Sequence, residues 1–184
     1  HTGDPHNFTC IEDVMEAVKT QLLYFIKLLA TEDHIIDVVQ SELTPHVLVS
    51  TMIPACIEKG KDITAGGAIY HTTTPFGAGL ATATDSLAAI KKAVFEDKSV
   101  SMDELLHALD TDFEGMEGEK IRQKLLATPK FGNDDDYVDE FARFLTDTFM
   151  KEVETYESGR GGHLVGGFFT LSSTVPLGHE TPAT

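Results

Sequence analysis

The residues able to do chemistry in this sequence of 184 are two cysteines, eight histidines, the acidic run Asn133-Asp134-Asp135-Asp136 and the glycine-rich Gly159-Arg160-Gly161-Gly162-His163. A phosphate cradle places its glycines after a strand and before a helix, so that the helix N-terminus faces the anion. Here the order is helix, glycines, strand, which reads as helix termination with close backbone packing. The acidic run has charge for Ca²⁺ but lacks the spaced ligands, glycine and terminal Glu of an EF-hand loop. Acids at the first turn of a helix are better explained by capping and the helix dipole. The histidines form no HExxH and no pair at metal-ligand spacing, so no metal is assigned. His71 stands apart because it lies in an irregular Gly/Thr segment, where lining a site and serving the structure are equally open to it. Neither cysteine has an obvious neighbouring base, and Cys56, on an apolar stripe, reads as a small buried hydrophobe.

Helices must position most of these groups. Thr9 with Glu12 forms a capping-box pattern, and Ile11, Val14, Met15, Val18, Leu22, Phe25, Ile26 and Leu29 follow at helical spacing, which predicts a helix over about 10–30. Its stripe widens with Leu23 and Leu28 beyond what one buried face needs. Further helices are predicted over 32–42, ahead of Pro45, and over 46–58, stopped by Gly60. Between Thr64 and Thr84 small residues surround the apolar Ala68 to Tyr70, read as a buried strand in a long loop. Asp85 or Ser86 can cap the next helix, and Ser101 with Glu104 starts another. Helices over 117–127 and 135–156 complete seven helical stretches, and Leu164 to Val175 reads as the second strand. Two lone strands make no independent sheet, so their partners are expected elsewhere.

The composition narrows the partners. A formal net charge of −16, with 14 Lys and Arg in no basic patch, argues against nucleic acid. Lys27 interrupts the best apolar run, Leu22 to Ala30, so no span of the roughly 20 residues a membrane helix needs is expected. His1-Thr2-Gly3-Asp4-Pro5 shows no secretory signal, which sets cytoplasmic as the expected location.

One ordered set of motifs goes further. Pro45, Cys56-Ile57-Glu58-Lys59-Gly60-Lys61-Asp62, Gly66-Gly67-Ala68-Ile69-Tyr70, Asp85-Ser86-Leu87-Ala88-Ala89-Ile90-Lys91-Lys92, Pro129-Lys130-Phe131-Gly132-Asn133-Asp134 and Arg160-Gly161-Gly162 resemble the pyruvate formate-lyase-like domain of the glycyl radical enzymes. The resemblance covers essentially the whole chain. It implies an α/β fold, with residues 1–184 as a helix-rich portion of one ten-stranded β/α barrel domain. It also implies a segment lying between the Cys-x-Glu loop and the radical-glycine loop, so that no catalytic residue falls within it. The implied reaction is anaerobic C–C or C–heteroatom cleavage of a small organic molecule by thiyl-radical hydrogen abstraction. No cofactor would be bound directly, the glycyl radical being installed by a radical-SAM activating enzyme, and the full-length protein would be a homodimer. An arylacetate decarboxylase, a fumarate-adding hydrocarbon synthase and a non-catalytic homologue are the alternatives.

In family members that dehydrate diols, the strand resembling the last one here carries a Tyr whose hydroxyl reaches the substrate; the matching residue is Phe169. With Leu171 on the same face, the cavity wall would be apolar, which tells against glycerol or propanediol and suits an aryl, alkyl or alkylated-amine portion. Phe76, Leu80, Thr82 and His71, in the irregular segment that approaches the cavity in the family, are the further substrate-lining candidates.

Overall fold

The computed structural model describes residues 2 to 170. They divide into two compact units, one of residues 2–21 and 78–146, the other of Leu22–Gly77 and Asp147–Phe169. Two long helices, α1 (Ile11–Leu43) and α7 (Asp136–Val153), contribute residues to both. α1 is continuous for 33 residues where two helices were expected. The reason is local: Thr31 turns its hydroxyl back onto the Lys27 carbonyl at 2.8 Å instead of capping a new start. Its N-terminus also differs from the expected box. The Asp13 carboxylate, not Glu12, takes the Thr9 amide (2.7 Å), the Thr9 hydroxyl (3.0 Å) and the Cys10 amide (3.3 Å).

In the first unit Ile11 and Val14 of α1 pack with Leu87 and Ala88 of α4 (Leu80–Ile90) and with Val138, Phe141 and Leu145 of α7. α4 begins at Gly79, whose φ of 79° suits glycine, so Asp85 and Ser86 lie inside the helix instead of capping it. From there the Asp85 carboxylate accepts the Phe131 amide at 2.7 Å and so holds the Pro129–Asp134 loop. A π-helical turn, Lys91–Glu96, extends α4. α5 (Met102–Asp110) starts with the expected reciprocal box between Ser101 and Glu104, and α6 is Gly115–Leu126. Ala93, Val100 and Leu105 form a smaller core against Ile121 and Leu125.

The second unit departs more from expectation. The helix foreseen over 46–58 is two single turns, α2 (Val47–Ser50) and α3 (Cys56–Lys59). Pro54 cannot continue a helix, and Ala55 behind it sits at φ 72°. Ala68 to Tyr70 is not a strand: Ala68 is buried, but Ile69 and Tyr70 are exposed. The strand comes later, as β1 (Phe76–Gly77), and pairs in parallel with β2 (Gly167–Phe168). The two strands are therefore each other's partners.

Ile26 and Ala30 of α1 pack on Phe149, Val153 and Leu164. Two residues out of step, about 200° around the helix, Tyr24, Leu28, Ile35 and Val39 are exposed, and Phe25, Ile36 and Leu43 widen that stripe. No helix among the described residues is long and apolar enough to cross a membrane.

Candidate functional site

The paired strands carry two of the expected site residues and bring them together. The amides of Val165, Gly167 and Phe169 donate to the carbonyls of Thr73, Pro75 and Gly77 at 3.0, 3.0 and 3.1 Å, a regular parallel ladder longer than the strands proper. Alternation along it puts Phe168 on one face and Phe169 on the other. Phe168 turns inward, its ring 5.1 Å from that of Phe149. Phe169 turns outward beside Phe76, ring centroids 5.9 Å apart and tilted by 46°, and both remain more than half exposed. On each face one ring lies across a glycine of the neighbouring strand, Phe76 on the outward face and Phe168 on the inward one. A Cβ on Gly167 would stand 3.0 Å from Phe76 Cε1, and one on Gly77 would stand 2.6 Å from Phe168 Cε1. The outward face thus carries an aromatic pair, with Phe76 laid on the bare backbone of Gly167 and Thr74 beside it, its methyl 3.5 Å from the same Cβ position, and no charge on either ring.

Behind the ladder lies a buried ionic group that sequence reading missed. Asp37 of α1 is 2% exposed, and its two oxygens are taken by different segments. Oδ1 accepts Arg160 Nε at 2.7 Å and Oδ2 accepts the Thr73 hydroxyl at 2.8 Å. A second guanidinium nitrogen donates to Gln40 Oε1 at 3.1 Å. Removing one member of such a buried pair strands the other charge, a loss of roughly 3–5 kcal/mol. Gly159 admits the approach, since a Cβ there would meet Asp37 Cβ at 2.8 Å and the His34 carbonyl at 2.9 Å. The glycine-rich stretch therefore serves close packing, as expected, and its arginine serves charge pairing. One signal was available: an Asp in the middle of an apolar helix needs a cation.

One turn earlier, Asp33 presents a buried Oδ2 without a hydrogen-bond partner. Burial, with Asp37 and Glu32 adding their charge, holds its carboxyl above the usual range. His71 packs against Gly162, with Nδ1 buried and unpartnered. Leu80 is half-buried against the first unit's core, and Thr82 is exposed on α4, its carbonyl accepting the Ser86 hydroxyl. Leu171 lies outside the described residues. Cys56 is buried in α3, away from the ladder in sequence and on none of its rungs. Among the described residues no group of three or more His, Cys, Asp or Glu is placed to hold a metal ion.

The family model described as pyruvate formate lyase-like matches residues 1–178. The chain belongs to the pyruvate formate-lyase-like family. This places it among the glycyl radical enzymes, as its motifs implied. It is similar to the trans-4-hydroxy-L-proline dehydratase of Clostridioides difficile, 44% identical over 163 residues that make up 88% of this chain and 20% of that protein. Among solved structures it is similar to the 1,2-propanediol-dehydrating protein of Roseburia inulinivorans, with a TM-score of 0.93 and 39% identity over the whole chain and 24% of that one. It also matches the glycerol-bound, B12-independent glycerol dehydratase of Clostridium butyricum, with a TM-score of 0.91 and 37% identity over 99% of this chain and 23% of that one. The pyruvate formate-lyase-like chain described here thus spans about a fifth to a quarter of the length of these relatives.

Proposed function

We propose that the full-length protein is a glycyl radical lyase that eliminates water from a small hydroxylated molecule bearing an apolar ring or aliphatic face. This chain would supply one wall of its cavity. The observation that carries the reading is the Phe76–Phe169 plate, exposed on the face of the ladder opposite the core. The two rings offer dispersion and area burial to a ring and nothing to a free hydroxyl, whose desolvation against them would be left uncompensated. The relative with 44% identity is named for dehydrating trans-4-hydroxy-L-proline, a ring with methylene edges, which favours C–O cleavage of a cyclic substrate over the wider set of lyase reactions.

The remaining polypeptide would complete the ten-stranded barrel and bring the catalytic cysteine and the radical glycine, with a radical-SAM activase and a homodimeric assembly as the expected partners. The radical supplies abstraction of one substrate hydrogen. The part of this chain is to seat the apolar portion of the substrate, to fix its orientation before that step, and to keep water from the wall.

Full-length protein activated without oxygen should show a glycyl signal in electron paramagnetic resonance and consume trans-4-hydroxy-L-proline with a kcat/KM at least about tenfold above that for glycerol. Phe169→Tyr, which restores a hydroxyl, should narrow that gap by raising turnover of glycerol. A wild-type preference for glycerol would overturn the apolar wall, and absence of the signal would overturn the class.

A further inference from the structure

We propose that Asp37 is a positioning residue: clamped between Arg160 and Thr73, it sets the strand register in which Phe76 and Phe169 face the substrate. The proposal rests on the reading of that pair as a cavity wall. Thr73 and Arg160 lie at the same end of the ladder, ahead of β1 and of β2 respectively. Thr73 is itself a rung, bridged to Leu164 and accepting the Val165 amide, so a hydrogen bond to its side chain fixes the first strand at its entry. Arg160 enters four residues before Leu164 and fixes the second. Both are tied to one buried carboxylate on a long helix, with Gly159 pressed against that carboxylate's own Cβ.

Besides the clamp, the register is held by three backbone rungs and by the seating of Phe76 on Gly167 and Phe168 on Gly77. The strands proper are two residues each, and each contains a glycine. A slip of one residue would turn Phe169 inward and Phe168 outward, exchanging the plate for the core. Apolar packing tolerates such exchanges of similar rings, whereas the buried Asp37 carboxylate, with both oxygens taken, does not, because a slip leaves its charge unpaired. The clamp acts on the plate through the ladder and touches no substrate.

The test uses activated full-length protein with Thr73→Val, which removes one hydroxyl and leaves the Asp37–Arg160 pair, and with Thr73→Ser, which keeps the hydroxyl. The readouts are spins per protomer, the melting midpoint, and kcat/KM for trans-4-hydroxy-L-proline relative to glycerol. Thr73→Val should lower that ratio about tenfold, through a raised KM for the ring substrate, at unchanged spin yield, and Thr73→Ser should restore it. Asp37→Asn should do the same or more where it folds; the threonine pair decides the question where it does not. A ratio unchanged in Thr73→Val, or an equal loss on both substrates that tracks the melting midpoint, overturns the positioning role alone. Wild-type protein that fails to discriminate the two substrates overturns the wall, and the clamp's function with it.

Discussion

Asp33 and Asp37 sit one turn apart on α1 and meet opposite fates. Asp37 receives a guanidinium and a hydroxyl, while Asp33 keeps an oxygen buried without a partner and its carboxyl raised by burial and by its neighbour's charge. A group whose folded pKa lies above its unfolded value holds its proton more tightly in the folded state. Its contribution to stability is therefore complete below the ordinary carboxylate pKa and is lost as pH rises through the raised one. Asp33→Asn should then raise the melting midpoint of the full-length protein near neutral pH and lose that advantage toward about pH 3.5. A difference that stays flat across this range would show that Asp33 does not titrate as its burial implies. The same contrast of neighbours governs Phe168 and Phe169, where one residue's step along a strand separates core from exposed plate.

Elements built from near neighbours could be read directly. Ser101 and Glu104 announced α5 because both halves of its cap lie within one turn, and the structure shows each side chain on the other's backbone amide. Ser101→Ala should cost about 1 kcal/mol, seen as roughly fivefold faster amide exchange in the first turn of α5; unchanged exchange would mean that the cap adds nothing there. Elements decided by distant partners were misread. Ala68 to Tyr70 has the composition of a strand but no rung to pair with, while Phe76–Gly77, too short to show periodicity, finds its partner 91 residues on. Pro54 was the missed breaker in the helix expected over 46–58. The plate was half legible, since Phe169 and Phe76 were both named but their contact was not. Of the clamp only the need for a cation at Asp37 was legible, not its source: Asp37 and Arg160 are 123 positions apart, and no local pattern links them.

At the scale of the molecule, α1 from Leu22 onward is apolar on two sides, one packed on Phe149 and Leu164 and one carrying Tyr24, Leu28, Ile35 and Val39 in the open. A helix apolar all round belongs in an interior. Expressed as these 184 residues alone, the chain should therefore bind a dye that fluoresces in apolar surroundings and sediment as heterogeneous oligomers, whereas the full-length protein should bind no dye and sediment no larger than a dimer. A dye-silent monomer would show that the stripe is tolerated in water.

The second unit is built from Leu22–Gly77 and Asp147–Phe169, and this has a consequence in time. On the ribosome, β1 and Asp37 emerge first, and everything from Ala78 to Thr146 must follow before Arg160 and β2 exist. At roughly 5–20 residues per second, that is a wait of seconds. Through it Asp37 has no cation and stays hydrated, Phe76 has no plate to complete, and the unit cannot close. The first unit's strand-free helices from α4 to α6 are made during that wait, so the order of synthesis lets local helices settle before the long-range ladder is attempted.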